Sequence, residues 1–275
     1  MKLEPERMRD TTPHVSERIE AAELRALHPE ASDALRDRLG LRLKRIDGTM
    51  VSIAARDPSI LLNRTMGLGL TRRATADGIE RIRATYHDHG VERFYIGLHP
   101  ESQPDRIEHY LAQAGLEADR GWMKFERGPD PAPTPESSLE VREIGSDHVD
   151  DFGRIAASGF GLSPDAAPLF RGLIDHSGVR MYMTFDDDTP AGTGLVYIDG
   201  GQAWFDWAAT DPEFRKRGSQ RALLARRIEA AVDAGCRRLM TATGEAIPDD
   251  PQHSYHNIEW AGFEPTYLRA HWVPE

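Results

Sequence analysis

The chain has 275 residues, with 34 lysines and arginines against 45 aspartates and glutamates, a formal net charge of −11 with histidine neutral. That acidic balance argues against a general binder of nucleic acid or of an acidic membrane, whose surfaces attract proteins through a net basic face. No run approaches the roughly 18 apolar residues of a membrane helix, and Met1-Lys2-Leu3-Glu4-Pro5-Glu6 has no apolar leader core, so a cytoplasmic protein is expected.

The length predicts one large domain or two modest ones. Gly67-Leu68-Gly69 is a lone Gly-x-Gly that serves a turn. The first strong periodicity follows from Thr75 to His89, where Ile79, Ile82 and Tyr86 recur at helical spacing and Gly90 stops the helix. A strand over Val91 to Leu98, a helix over Asp105 to Ala114 ended by Gly115, and a strand over Trp122 to Phe125 complete the first half. The alternating prolines of Gly128-Pro129-Asp130-Pro131-Ala132-Pro133-Thr134-Pro135 favour extended polyproline geometry. They divide the chain into a unit at 1–128, a linker at 129–138 and a unit at 139–275.

The second half opens with the alternating strand Leu139 to Ile144. A helix over Asp147 to Ser158 follows, and then a second helix with Ser163 as N-cap and Pro164 at its first position. Strands over Val179 to Phe185, Gly192 to Ile198 and Gln202 to Thr210 form an antiparallel run, the last two joined by a tight turn at Asp199-Gly200-Gly201. Leu224, Ile228 and Val232 give the helix Gly218 to Ala234 one apolar stripe, ended by Gly235. The strand Arg237 to Thr243, the helix Ser254 to Ala261 with Gly262 behind it, and the strand Phe263 to Val273 complete a mixed α/β order. Cys236 is the only cysteine, which excludes an intrachain disulfide, and it reads as core packing.

The halves run in parallel. Gly90 to Gly115 spans 25 residues and Gly235 to Gly262 spans 27, with Ala-Gly-Leu answering Ala-Gly-Phe. Two copies of one fold are expected. No metal site is expected, because the consecutive side chains of Tyr86-His87-Asp88-His89 diverge on a helix, and His253 and His256 lack a carboxylate to complete a set. Trp204, Trp207, Trp260 and Trp272 read as core or pocket wall.

The chemistry concentrates in Thr210-Asp211-Pro212-Glu213-Phe214-Arg215-Lys216-Arg217-Gly218-Ser219-Gln220-Arg221. Free amides and the positive dipole end of a helix start form a site for phosphate. From Arg215 to Arg227 there are six cations and no acid. A solvated basic helix face is the alternative, but the cations gather at the helix start and Gly218 permits close backbone approach, so an anionic, compact polyphosphate ligand fits better.

On these residues the sequence resembles the GNAT superfamily of acetyl-CoA-dependent N-acetyltransferases. Arg215-x-x-Gly218-x-Gln220 matches the first two fixed positions of the signature Gln/Arg-x-x-Gly-x-Gly/Ala, with Gln220 in place of the small third residue. The likeness extends from Leu139 to the C-terminus and includes the helix Ser254 to Ala261 before Gly262-Phe263. It implies a mixed, mostly antiparallel twisted sheet flanked by helices, which the repeat of glycines extends to two tandem units. It further implies that Arg215 and the amides of Arg217, Gly218, Ser219, Gln220 and Arg221 hold the pyrophosphate of acetyl-CoA, and that the main chain of Ala208, Ala209 and Thr210 pairs with the pantetheine. Asn257 would contact the pantetheine amides.

The reaction implied is direct attack of a small-molecule amine on the thioester in a ternary complex. Asp206, among aromatic neighbours, is the first choice for the base and Glu245 the competitor. The family's tyrosine acid stands four residues before the Gly of Gly-Phe, where this chain has Ile258. Tyr255 and Ser254, one turn earlier, are the candidate replacements, and a noncatalytic acyl-CoA sensor is the rival reading. In the first half Arg73 stands where Gly218 stands in the second, so its cofactor site is expected to be degenerate and the unit to serve as scaffold, pocket wall or surface of a homodimer.

Overall fold

The structure is a computed structural model that describes residues 14–29 and 31–275. Helices α1 (Val15–Ala26) and α2 (Asp33–Leu39) come first, followed by strands β1 (Leu41–Ile46), β2 (Thr49–Ala54) and β3 (Arg64–Met66). Next are α3 (Ala76–Asp88), β4 (Tyr95–Leu98), α4 (Ile107–Gln113) and β5 (Leu116–Arg127). The second half contributes β6 (Glu140–Glu143), α5 (Val149–Phe160), α6 (Leu169–Leu173), β7 (Val179–Asp186), β8 (Thr189–Asp199) and β9 (Gln202–Thr210). It ends with α7 (Ser219–Asp233), β10 (Arg238–Gly244), α8 (His253–Trp260) and β11 (Glu264–Pro274).

Everything before α3 lies outside the elements expected from sequence, because the strands there are short or half-polar and α1 hides charged residues in its buried face. Two expected elements also change. Ser163 caps only a 3-10 turn over Pro164–Ala166, and its hydroxyl instead donates to Asp57 Oδ2 at 2.6 Å. The strand placed at Val91 starts at Tyr95. The closing strand of the first half is much longer than expected, 12 residues, because it is paired on both sides.

All 11 described strands form one sheet in the order β1-β2-β3-β4-β11-β5-β10-β9-β8-β7-β6. Neighbours are antiparallel except β3 with β4 and β9 with β10. β5, from the first half, lies between β11 and β10 of the second. Reciprocally, β11 pairs with β4 of the first half. The linker at 129–138 separates the units in sequence, whereas in space each unit gives its last strand to the other.

Apolar residues on both faces of the sheet hold the helices. One core joins Ile19 and Leu24 of α1, Leu35 of α2, Phe152 of α5 and Phe170 of α6 to Trp204 and Trp207 of β9. The opposite face has two clusters, one around Ile79 and Ile82 of α3 and Leu111 of α4, the other around Leu224 and Ile228 of α7 with Phe205 and Phe263. Cys236 is buried in the latter, as core packing requires.

Candidate active site

The two parallel strands at the centre of the second half separate. β9 and β10 pair from Gln202↔Arg238 to Phe205↔Thr241 and no further. Beyond that point β10 stays with β5, through Ala242↔Lys124 to Gly244↔Trp122. β9 stays with β8 through Ala209↔Thr193 and Thr210↔Gly192. The cause is a bulge in β9: Trp207 takes a left-handed backbone with φ +52°, and the register to β8 shifts there. Ala208, Ala209 and Thr210 therefore line an opening between two strands, with one edge not paired to β10.

That opening leads to the N-terminus of α7. Gly218 is the N-cap, with φ +85° and no side-chain cap, so the first-turn amides of Ser219, Gln220 and Arg221 lack intrahelical acceptors. The hydroxyls of Ser219 and Thr184 bond at 2.8 Å, and Gln220 Nε2 donates to Thr210 Oγ1 at 2.8 Å, tying the helix start to the sheet. A Cβ at Gly218 would come within 2.1 Å of the Glu136 carbonyl oxygen. The close approach that this glycine permits is therefore to the proline-rich linker, which also accepts onto Arg217: its Nε donates to Ser138 Oγ at 3.0 Å.

The basic segment divides by role. Arg217 makes a bidentate pair with Asp186, both distances 2.7 Å. Arg226 is 3.8 Å from Glu229, and Arg221 bonds Asn257 Oδ1 at 3.1 Å while lying over Trp260. Arg227 is buried and donates to the carbonyls of Leu223, Leu195 and Asp206; burial pushes its pKa down to about 10. Of the six, Arg215 and Lys216 stand exposed without such partners among the described residues. The six-cation count thus overstates the field at the loop, because four of the six charges are spent on the fold.

Asp206 faces the side of the sheet covered by α1 and α5. Its Oδ2 accepts from Trp204 Nε1 at 3.0 Å and its Oδ1 from the Trp207 backbone N–H at 2.8 Å. It is part-exposed, and desolvation raises its pKa against the lowering pull of Arg64. Beside it lies a charged network that the sequence did not reveal. Glu17, Glu20 and Glu23 fall three apart on α1 and all are buried. Glu20 meets Arg64 at 3.1 Å, Arg269 at 2.6 Å and the ammonium of Lys124. Burial opposes its ionisation, yet Arg269, Lys124 and Arg64 together hold its pKa well below the usual carboxylate range. Glu23 accepts from Trp207 Nε1 at 2.8 Å, and its other oxygen has no partner among the described residues.

At the open end of β10 a cleft of about 430 Å³ is bounded by Arg120 and Trp122 of β5, Thr243 and Gly244 of β10, and Ser254 and Tyr255 of α8. Tyr255 is half-buried, edge-on to Phe125 with centroids 4.8 Å apart, and burial raises its pKa. Ser254 is exposed. Glu245 is held through its main chain: its carbonyl accepts from Arg120 Nε at 2.9 Å and its N–H donates to Gly121. Ile258, at the position of the family's tyrosine, is buried.

The corresponding opening in the first half is shut. β3 and β4 pair only at Arg64↔Tyr95 and Thr65↔Ile96. There the segment after β4 folds back, with Gln103 bonded to both Gly69 and Ala74 and Ser102 Oγ donating to Leu68. Thr75 caps α3 by accepting from the Gly78 N–H at 3.0 Å. One trio of described residues, His14, His99 and Glu101, has ligand atoms within 4.8 Å of one another. His99 Nδ1, however, accepts the Glu101 N–H at 3.0 Å, which puts the proton of the neutral ring on Nε2 and blocks that nitrogen as a ligand. No described helix is long and apolar enough to cross a membrane.

The family model described as an acetyltransferase (GNAT) domain matches residues 146–247. A GCN5-related N-acetyltransferase from Kribbella flavida is 16% identical with a TM-score of 0.64, over 94% of this chain and 95% of that one. Another from Sphaerobacter thermophilus is 16% identical with a TM-score of 0.60, covering 94% and 90%. A tandem GNAT protein from the clavulanic acid biosynthesis pathway, solved without acetyl-CoA, is 15% identical with a TM-score of 0.56, covering 95% and 96%. No curated protein matches by sequence. Residues 146–247 thus match a GNAT acetyltransferase domain, and the chain as a whole shares its fold with a tandem GNAT protein.

Proposed function

We propose that the second half transfers an acetyl group from acetyl-CoA to the amine of a small molecule. The observation that carries this reading is the separation of β9 from β10, which begins at Asp206, the first residue of β9 past the last pair, and opens toward the free amides of α7. The amides of residues 217–221 suit a pyrophosphate, and the unpaired edge at Ala208–Thr210 suits the amides of a pantetheine arm. Asn257, bonded to Arg221, stands beside that path. Acetyl-CoA supplies an acyl group activated as a thioester. Asp206 takes the proton of the amine, whose nitrogen then attacks the carbonyl carbon directly. Tyr255 and Ser254 at the cleft are the groups that would protonate the departing thiolate.

Thiol release from acetyl-CoA over a panel of small amines tests this. The expected result is release with at least one amine, reduced about 100-fold or more in Asp206→Asn, the scale of a lost general base. An unchanged rate in that variant would remove Asp206 from the reaction. The buried Ile258 where the family has tyrosine favours one second reading, an acyl-CoA sensor; that protein would bind acetyl-CoA and release no thiol with any amine.

A further inference from the structure

The first helix carries a carboxyl group that the chemistry above does not use. Glu23 is fully buried, one oxygen bonded to the Trp207 indole and the other meeting no donor among the described residues. Trp207 also gives its backbone N–H to Asp206, from a left-handed bulge. One residue therefore holds two carboxyl groups, one from each half of the chain.

The surrounding charges do not neutralise Glu23. On α1 its neighbour is Glu20, to which Arg64 of β3, Lys124 of β5 and Arg269 of β11 are bonded. Arg64 also acts on Glu23 and Asp206 from a distance, and Tyr197 of β8 is close enough to sense Glu23. From α7, Arg227 touches only the main-chain oxygen of Asp206, at 3.2 Å. α5 and α6 present Phe160 and Phe170 to Trp207. Burial first, and the charge of Asp206 second, push the Glu23 carboxyl up to about 8. A buried carboxyl with an unpartnered oxygen costs stability, and proteins keep such groups mainly at functional sites.

We propose that Glu23 is a positioning residue for Asp206, so that a carboxyl pair shared between the two halves receives the proton of the amine. This rests on the acetyl-transfer reading. The amine nitrogen gives its proton to the Asp206 carboxylate and forms the C–N bond with the freed lone pair. The C–S bond breaks with its electrons going to sulfur, and the proton passes from Asp206 to water. While Glu23 is neutral the pair holds one negative charge. Once Glu23 ionises it holds two, and the second strengthens Asp206 as a proton acceptor.

The pair is read directly by infrared titration of the full chain, following the carbonyl stretch of a protonated carboxyl. The wild type is expected to lose one such band as pH rises through about 8. Glu23→Gln, which keeps an acceptor for the Trp207 indole, lacks that band, and Asp206→Asn moves its midpoint to lower pH. The same band in Glu23→Gln, or an unmoved midpoint in Asp206→Asn, overturns the pair. Thiol release gives the second arm: kcat of the wild type rises several-fold between neutral and alkaline pH, while Glu23→Gln, shown folded by circular dichroism, has a flat profile and an unchanged KM for acetyl-CoA. Superimposable profiles defeat the proposal and leave acetyl transfer standing. Absence of thiol release by the wild type with every amine defeats acetyl transfer, and the positioning role with it.

Discussion

Trp207 bonds Glu23 with its side chain and Asp206 with its backbone, and so couples two titrations to one bend in a strand. The sign of the resulting pH dependence follows from Glu23. Its folded pKa is raised from the ordinary 4.5 to about 8, so the folded protein binds the extra proton. Stability from this group is complete below pH 4.5 and is lost as pH rises to about 8. Thermal melts across that window should show Glu23→Gln gaining on the wild type as pH rises, by a few kcal/mol at the alkaline end. Parallel pH dependences in the two proteins would mean that Glu23 is already ionised in the fold. The aromatic residues that contact Asp206 are adjacent in the chain, so its setting could be read from sequence. Glu23 was not, since its partner indole lies 184 residues away.

At the scale of elements, α7 and the strands of the second half were readable from local signals: an apolar stripe, a Gly-Gly turn, a terminating glycine. Helix α1 defeats that kind of reading. Its glutamates at 17, 20 and 23 look like a solvated face, yet Arg18 and Arg25 are its exposed residues. The cations that make burial possible come from β3, β5 and β11. A run of acids at threefold spacing beside Ile19 and Leu24 was the available signal. Glu20→Ala would leave Arg64, Lys124 and Arg269 buried without their shared anion, and about 3–5 kcal/mol of stability should be lost, as when one side of a buried ion pair is removed. Denaturant unfolding measures it; a change below about 1 kcal/mol would mean that water already screens the cluster. At α7, the loop signature was found but its cations were overvalued, because charge counting cannot show that Arg217 belongs to Asp186 and Arg227 to the core.

For the whole molecule, the twofold pattern of glycines was visible in sequence, while the exchange of last strands was not. Strand pairing between β4 and β11 joins segments at opposite ends of the chain, and nothing local encodes it. One consequence is mechanical. Cutting the chain within residues 129–138, at an inserted protease site, should leave two fragments that co-elute on gel filtration until denaturant is added, because β5 and β11 each lie within the other unit's part of the sheet. Fragments that separate under native conditions would contradict the shared sheet. The exchange also brings Arg120 and Trp122 of the first half to the cleft of the second.

Enzyme and sensor alike require that the opening between β9 and β10 take acetyl-CoA. The most direct measurement is the melting temperature of the full chain with and without millimolar acetyl-CoA. Binding to the folded state at about 100 times Kd adds roughly 2.7 kcal/mol, which for a chain of this size raises the midpoint by roughly 5–10 °C. A rise on that scale is the predicted result. An unchanged midpoint at millimolar acetyl-CoA would contradict it, for the enzyme and the sensor alike.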